Sequence, residues 1–183
     1  MIKRIFFILI IFFLSGTFLH AETFTFDTRI GVYGAVPYRL SSLSCNIAPL
    51  FTGRVEYNVY NGIGFTGEFN NYKLGLQGIY EVALPGTGFT LKPFVGIGFS
   101  NSGIASNSLS LDFGFDSTYN NLFGVILVIG AEAVTFSDSY MVDYYGGPSI
   151  PIINFLSVDL LYTGLISNGC HQIGFGGRVN FKF

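Results

Sequence analysis

The feature that most limits what this chain can fold into is a period of two. In "KLGLQGIYEVAL" (73–84), Leu74, Leu76, Tyr80, Val82 and Leu84 alternate with Lys73, Gln77 and Glu81. Side chains of a strand point alternately to its two faces, so this period reads as strand with one apolar and one polar face. The same alternation recurs along most of the chain, and the charges follow it. Of the 20 charged residues, fifteen lie in the alternating segments: Asp27, Arg29, Arg54, Glu56, Glu68, Lys73, Glu81, Lys92, Asp112, Asp116, Glu132, Asp143, Asp159, Arg178 and Lys182. In every case the charge falls on the face opposite the apolar one.

Composition shows which face meets what. Half of the residues are hydrophobic and 11% are charged, against about 25% charged in an average soluble domain. The hydrophobicity is spread, with no long unbroken run after residue 21. The most apolar piece, "LFGVILVIGAEAVTF" (122–136), is interrupted by two glycines and Glu132. In a bilayer only helices and closed barrels satisfy every backbone polar group, and helical spans are lacking, so the barrel remains. A soluble sandwich or barrel is the competing architecture. It is disfavoured because the charged face is rich in small Gly, Ser and Thr, which suit a narrow lumen, whereas the apolar face is bulky. Residues 1–21, "MIKRIFFILIIFFLSGTFLHA", have Lys3 and Arg4, an apolar stretch from Ile5 to Leu14, then small and polar residues. That is the layout of a secretory signal peptide helix cleaved after Ala21, leaving 22–183 as one barrel domain.

Ten strands are expected: 24–36, 51–60, 63–69, 72–84, 89–100, 109–116, 121–134, 140–150, 155–166 and a closing strand at the C-terminal end. The outward set includes Tyr72, Ile97 and Leu127; Ile126 and Val128 face inward against the trend. "NG" (61–62) and "PGTG" (85–88) mark turns. An even count suits a single-chain antiparallel barrel, and eight strands is the alternative. The final stretch, "HQIGFGGRVNFKF" (171–183), reads as the strand that closes on the first one and leaves no exposed edge.

With that architecture, the chain resembles the small outer-membrane barrels of the OmpX/Ail-like and OmpW-like group. The resemblance is most specific in "GGPSIPIINFLSVDLLYTG" (146–164), similar to the penultimate hairpin of that group, and in the terminal Phe183. It implies location in a bacterial outer membrane, contact with outer-membrane lipid and insertion by the barrel-assembly machinery. That machinery reads a C-terminal signal, which here would comprise Val179, Phe181 and Phe183 after Gly176. Gly174 stands where the signal usually has a polar residue.

Enzymatic motifs are poor. After residue 21 the one histidine is His171, and "SNGCHQIG" (167–174) only superficially resembles the outer-membrane lipid A deacylases, in which His precedes Ser. No carboxylate is placed to orient His171 as a base, so no catalytic residue is assigned. No cofactor, metal cluster, phosphate loop or nucleic-acid patch is expected either. The inward charges are mixed in sign, without the single-sign ring that selects ions. The expected function is that of a monomeric barrel with a mostly closed, salt-bridged lumen and a structural or surface-interaction role. A narrow channel for small solutes and a lipid-modifying enzyme are the competing classes. Cys45 and Cys170 lie in loops that an even-stranded barrel brings side by side at one rim, in an oxidising compartment. They are expected to form a disulfide. Alkylation of the native protein should add no mass, and alkylation after reduction should add two groups; two groups added without reductant would exclude the bridge.

Overall fold

The computed structural model describes residues 23–28, 34–37, 51–60, 62–70, 72–100, 108–120, 124–167 and 170–182. These form β1 (Thr23–Thr28), β2 (Gly34–Pro37), β3 (Phe51–Tyr60), β4 (Ile63–Asn70), β5 (Lys73–Tyr80) and β6 (Val82–Leu84). They continue as β7 (Phe89–Ser100), β8 (Leu109–Asn120), β9 (Ile126–Thr135), β10 (Tyr140–Ile153), β11 (Leu156–Ser167) and β12 (Cys170–Phe181). Among the described residues there is no helix. The expected signal segment, Arg29, Cys45 and Phe183 lie outside them.

All pairings are antiparallel, and the strands make one curled sheet. Two strands are interrupted. β5 and β6 both pair with β7 in a single register, Ile79 opposite Phe94 and then Val82 opposite Leu91. β1 and β2 both pair with β12. Counted so, the sheet has ten strands. β1 also pairs with β3, Thr25 opposite Arg54.

Several boundaries differ from the sequence pattern. β8 runs to Asn120 because Ser117–Asn120 still pair with β7 and β9, although "STYN" has no apolar alternation. Ladder hydrogen bonds, not side-chain pattern, hold that end. β9 starts at Ile126 rather than at 121, after Gly124 with φ of 75°. β10 continues to Ile153 through an irregular register at Pro151/Ile153, so the turn falls at Asn154-Phe155. Tyr72, expected outward, is buried. Its N–H donates to Asn70 Oδ1 at 2.8 Å, and the β4–β5 ladder starts only at Phe69 opposite Leu74. Tyr72 therefore belongs to the turn, which folds it inward.

The distribution of side chains is inverted relative to an ordinary globule. Val95, Leu109 and Phe175 are 67%, 70% and 72% exposed, whereas Lys73, Asp112 and Asp159 are 1%, 0% and 0% exposed. Ile97 and Leu127 are exposed and Val128 is buried. Two small apolar clusters share the inner face with the charges: Tyr72, Val134, Phe136, Met141 and Leu165, and a second of Val128, Tyr145 and Leu161.

The turn from β6 to β7 shows how tightly the backbone is set. Gly86 and Gly88 have φ of 76° and 68°, the left-handed region that side chains with a Cβ resist. Around Gly86 there is open space, but a Cβ on Gly88 would lie 2.2 Å from the Asn120 carbonyl oxygen. That oxygen belongs to the strand end to which Gly88 is tied, since Asn120 N–H donates to Gly88 O at 2.8 Å. Gly86→Ala should cost about 1 kcal/mol of stability, whereas Gly88→Ala should cost about 2–3 kcal/mol. Reversible denaturant unfolding in detergent would rank them, and equal costs would contradict the close approach.

Candidate functional site: the inner charge network

Alternation along each strand brings the polar positions to the inner face. β3 supplies Arg54 and Glu56, β4 Glu68 and Asn70, and β5 Lys73 and Gln77. β8 supplies Asp112 and Asp116, β9 Glu132, β10 Asp143 and Tyr145, β11 Asp159, and β12 Arg178 and Asn180. Groups far apart in the chain meet there.

At one end of the network Lys73 Nζ lies 2.7 Å from Asp112 Oδ2 and 3.4 Å from Glu68 Oε1, and it also bonds Glu132. Ser110 Oγ donates to Asp112 Oδ1 at 2.8 Å and Gln77 Nε2 to Glu132 Oε1 at 2.7 Å. Asn70 Nδ2 donates to Glu68 Oε1 at 3.1 Å, while Asn70 Oδ1 accepts from the Lys73 N–H at 2.8 Å. Glu68 also holds Arg54, whose Nη2 donates to Oε2 at 2.9 Å. From Arg54 the network runs through Asp116 to the Tyr145 hydroxyl, which donates to the same carboxylate. Arg178 Nη1 donates to Tyr145 Oη at 3.0 Å and its Nε to Asp159 Oδ2. Asn180 Nδ2 completes the chain on Asp159 Oδ2 at 2.9 Å. Ring faces support the guanidiniums: Arg54 sits 5.1 Å from the Phe94 centroid and Arg178 4.8 Å from that of Tyr145.

A separate trio occupies the end of the sheet near the β6–β7 turn. Lys92 Nζ contacts Glu56 Oε1 at 2.7 Å and Glu81 Oε2 at 2.9 Å. Exposure grades along the inner face: the side chains of Glu81 and Lys92 are 34% and 23% exposed, those of Glu68 and Lys73 1% and 0%. Between them Arg54, Glu68, Phe94, Asp116, Glu132, Asp143 and Tyr145 line a cavity of ≈ 10 Å³, room for about one water. Chemically the site is a set of shared ion pairs in which Arg54, Lys73, Lys92 and Arg178 each bond one or more of a larger number of carboxylates. Among the described residues no group of three His, Cys, Asp or Glu is arranged to hold a metal.

Most of the charges named from the sequence are brought together here. Asp143 is buried on the same face. Asp27 is in β1, placed by its backbone pairing to Thr52. Lys182 follows the end of β12 and is exposed, and its N–H donates to Phe155 O at 2.9 Å. Tyr145, the hub between Asp116 and Arg178, went unnoticed in the sequence, although it shares its phase with Asp143. Val179 and Phe181 pair with Phe26 and Phe24 of β1 and are half-buried. His171 Nε2 meets Tyr144 Oη at 2.6 Å with no carboxylate in contact. Cys170, the first residue of β12, is disulfide-bonded.

No protein-family model, curated protein or solved structure matches the chain.

The two ends of the inner face should respond differently to loss of a cation. Arg178→Met leaves Asp159, 0% exposed, without its charge partner, and breaking such a buried pair costs about 3–5 kcal/mol. Lys92→Met leaves Glu81, whose side chain is 34% exposed, and the buried Glu56 without their shared cation, and because water screens part of this trio a smaller loss of about 1–2 kcal/mol is expected. Unfolding free energies of the two variants in the same detergent check this, and a larger loss at Lys92 would contradict it.

Proposed function

We propose that this protein is a bacterial outer-membrane β-barrel whose sheet closes on itself, with a sealed, salt-bridged interior and a structural or surface-interaction role rather than a catalytic one. The observation that carries the reading is the inversion of burial. A continuous outer face of Leu74, Leu76, Val95, Ile97, Leu111 and Ile129 is exposed while Lys73, Glu68, Asp112 and Asp159 are sealed inside. Acyl chains cover such a face; water does not. Closure is supported by β1, which pairs with β3 on one side and, over Phe24–Phe26, with β12 on the other.

Dimensions agree. The 12 residues of β7 rise about 40 Å along the strand and, tilted by ~40°, cross about 30 Å, enough for an outer-membrane apolar band of ~25 Å. Exposed aromatic residues include Tyr80, Tyr119 and Phe155 near one rim and Phe69, Phe99 and Tyr140 near the other, as interfacial girdles would require, while Phe113, Tyr162 and Phe175 lie mid-strand on the same outer face. Export by the N-terminal signal, insertion by the barrel-assembly machinery and a monomeric state belong to the same reading. A sealed interior is supported by the small cavity and by the ion pairs that bond the inner side chains to one another. Among the described residues His171 is held by the Tyr144 hydroxyl rather than by a carboxylate.

Ile97→Lys, placed on the outer face, should lower stability in lipid bilayers by about 2–4 kcal/mol. In planar bilayers the wild-type protein should show no discrete openings. An Ile97→Lys variant as stable as wild type in bilayers would refute membrane embedding, and steady ion currents would refute the sealed interior.

A further inference from the structure

We propose that Glu68, Asp112 and Glu132 form a binding cage for a small primary ammonium ion, and that Lys73 fills this cage from within the chain. The three carboxylates come from β4, β8 and β9, and the ammonium arrives on β5. Lys73 Nζ has one carboxylate oxygen from each: Asp112 at 2.7 Å, Glu68 at 3.4 Å and Glu132 in direct contact. Lys73 Nζ thus donates to two carboxylates and pairs with a third, an arrangement that suits a compact primary ammonium better than a planar guanidinium or a quaternary amine without N–H. The side chains of Lys73, Asp112 and Glu68 are 0%, 0% and 1% exposed, so the cation has exchanged its whole hydration shell for protein oxygen.

A second observation points to a cation site larger than its present occupant uses. Gln77 is 0% exposed and donates Nε2 to Glu132 Oε1 at 2.7 Å, yet its Oε1 has no hydrogen-bond partner. A buried carbonyl oxygen beside the cage is an acceptor waiting for a donor. Gly75, on the same strand and face, leaves the approach clear, since a Cβ there would lie 3.0 Å from Asp112 Oδ2 and 3.8 Å from Lys73 Nζ. The inference depends on the inner geometry alone and holds whether or not the outer face lies in a membrane.

Lys73→Ala removes the three methylenes beyond Cβ and the ammonium, a fragment that n-propylammonium replaces. In detergent-folded full-length protein, Lys73→Ala should lower the midpoint of thermal unfolding by on the order of 10 °C. Millimolar n-propylammonium should restore at least half of that loss. n-Propanol, which has the shape but no charge, and tetramethylammonium, which has the charge but no N–H, should restore none. Lys73→Met, whose side chain refills the space, should not respond to the amine. If Lys73→Ala does not fold, recovery of folded protein on refolding with n-propylammonium is the readout. Failure of the amine to restore stability or folding, or equal restoration by n-propanol, would overturn the proposal.

Discussion

The structure depends on where ionised groups can be placed in a sheet whose other face is largely apolar. Alternation allows each strand one polar row, and the curl gathers those rows into a common interior. A single charge there would be costly, since transfer of an isolated ion into low dielectric is offset only by a partner and further hydrogen bonds. The network meets that condition by sharing. Glu68 serves both Arg54 and Lys73, Asp116 serves both Arg54 and Tyr145, and Arg178 bonds both Tyr145 and Asp159. Each ion is thereby held by more than one strand, and the interior acts as a cross-brace between strands that are not neighbours.

Much of this was legible in the sequence because a period of two is hard to disguise. β3 and β7 occupy the segments that alternation marks, 51–60 and 89–100. The sites of Lys73, Glu132 and Asp159 on the charged face followed from phase. What stayed hidden depends on contacts rather than phase. The end of β8 is set by its partners, since "STYN" has no pattern of its own. Tyr72 needed the Asn70 side chain to turn it inward. Tyr145 is apolar in composition and polar in use, so only the placement of Asp116 and Arg178 on either side reveals it. The phase of Lys182 was legible but not that the strand ends one residue before it at Phe181, because alternation cannot say where a strand ends.

The mixed sign of the interior bears on function as well as stability. A conducting path needs water or a line of exchangeable ligands. Here the charges are bonded to each other, the cavity between Arg54, Glu68 and Glu132 holds about one water, and Val134, Met141 and Leu165 pack apolar side chains into the same interior. Among the described residues exposure of the charged groups rises toward the β6–β7 turn, where Lys92 and Glu81 meet solvent.

The same charges answer a question that the outer face leaves open. If every outward residue is apolar, slipping a strand by two residues keeps each face chemically intact, so the hydrophobic pattern cannot choose between the registers. The ions can. Asp159 stands directly opposite Arg178 and Arg54 opposite Glu68. A two-residue slip of β12 on β11 would bring Gly176 or Asn180 opposite Asp159 and strand two opposite charges in a dry interior. Breaking a buried pair in that way costs about 3–5 kcal/mol, a large part of the stability of a domain. The network is therefore more than filling. It supplies the energy difference between the observed register and its closest competitors, which a purely apolar interior of the same volume would not supply.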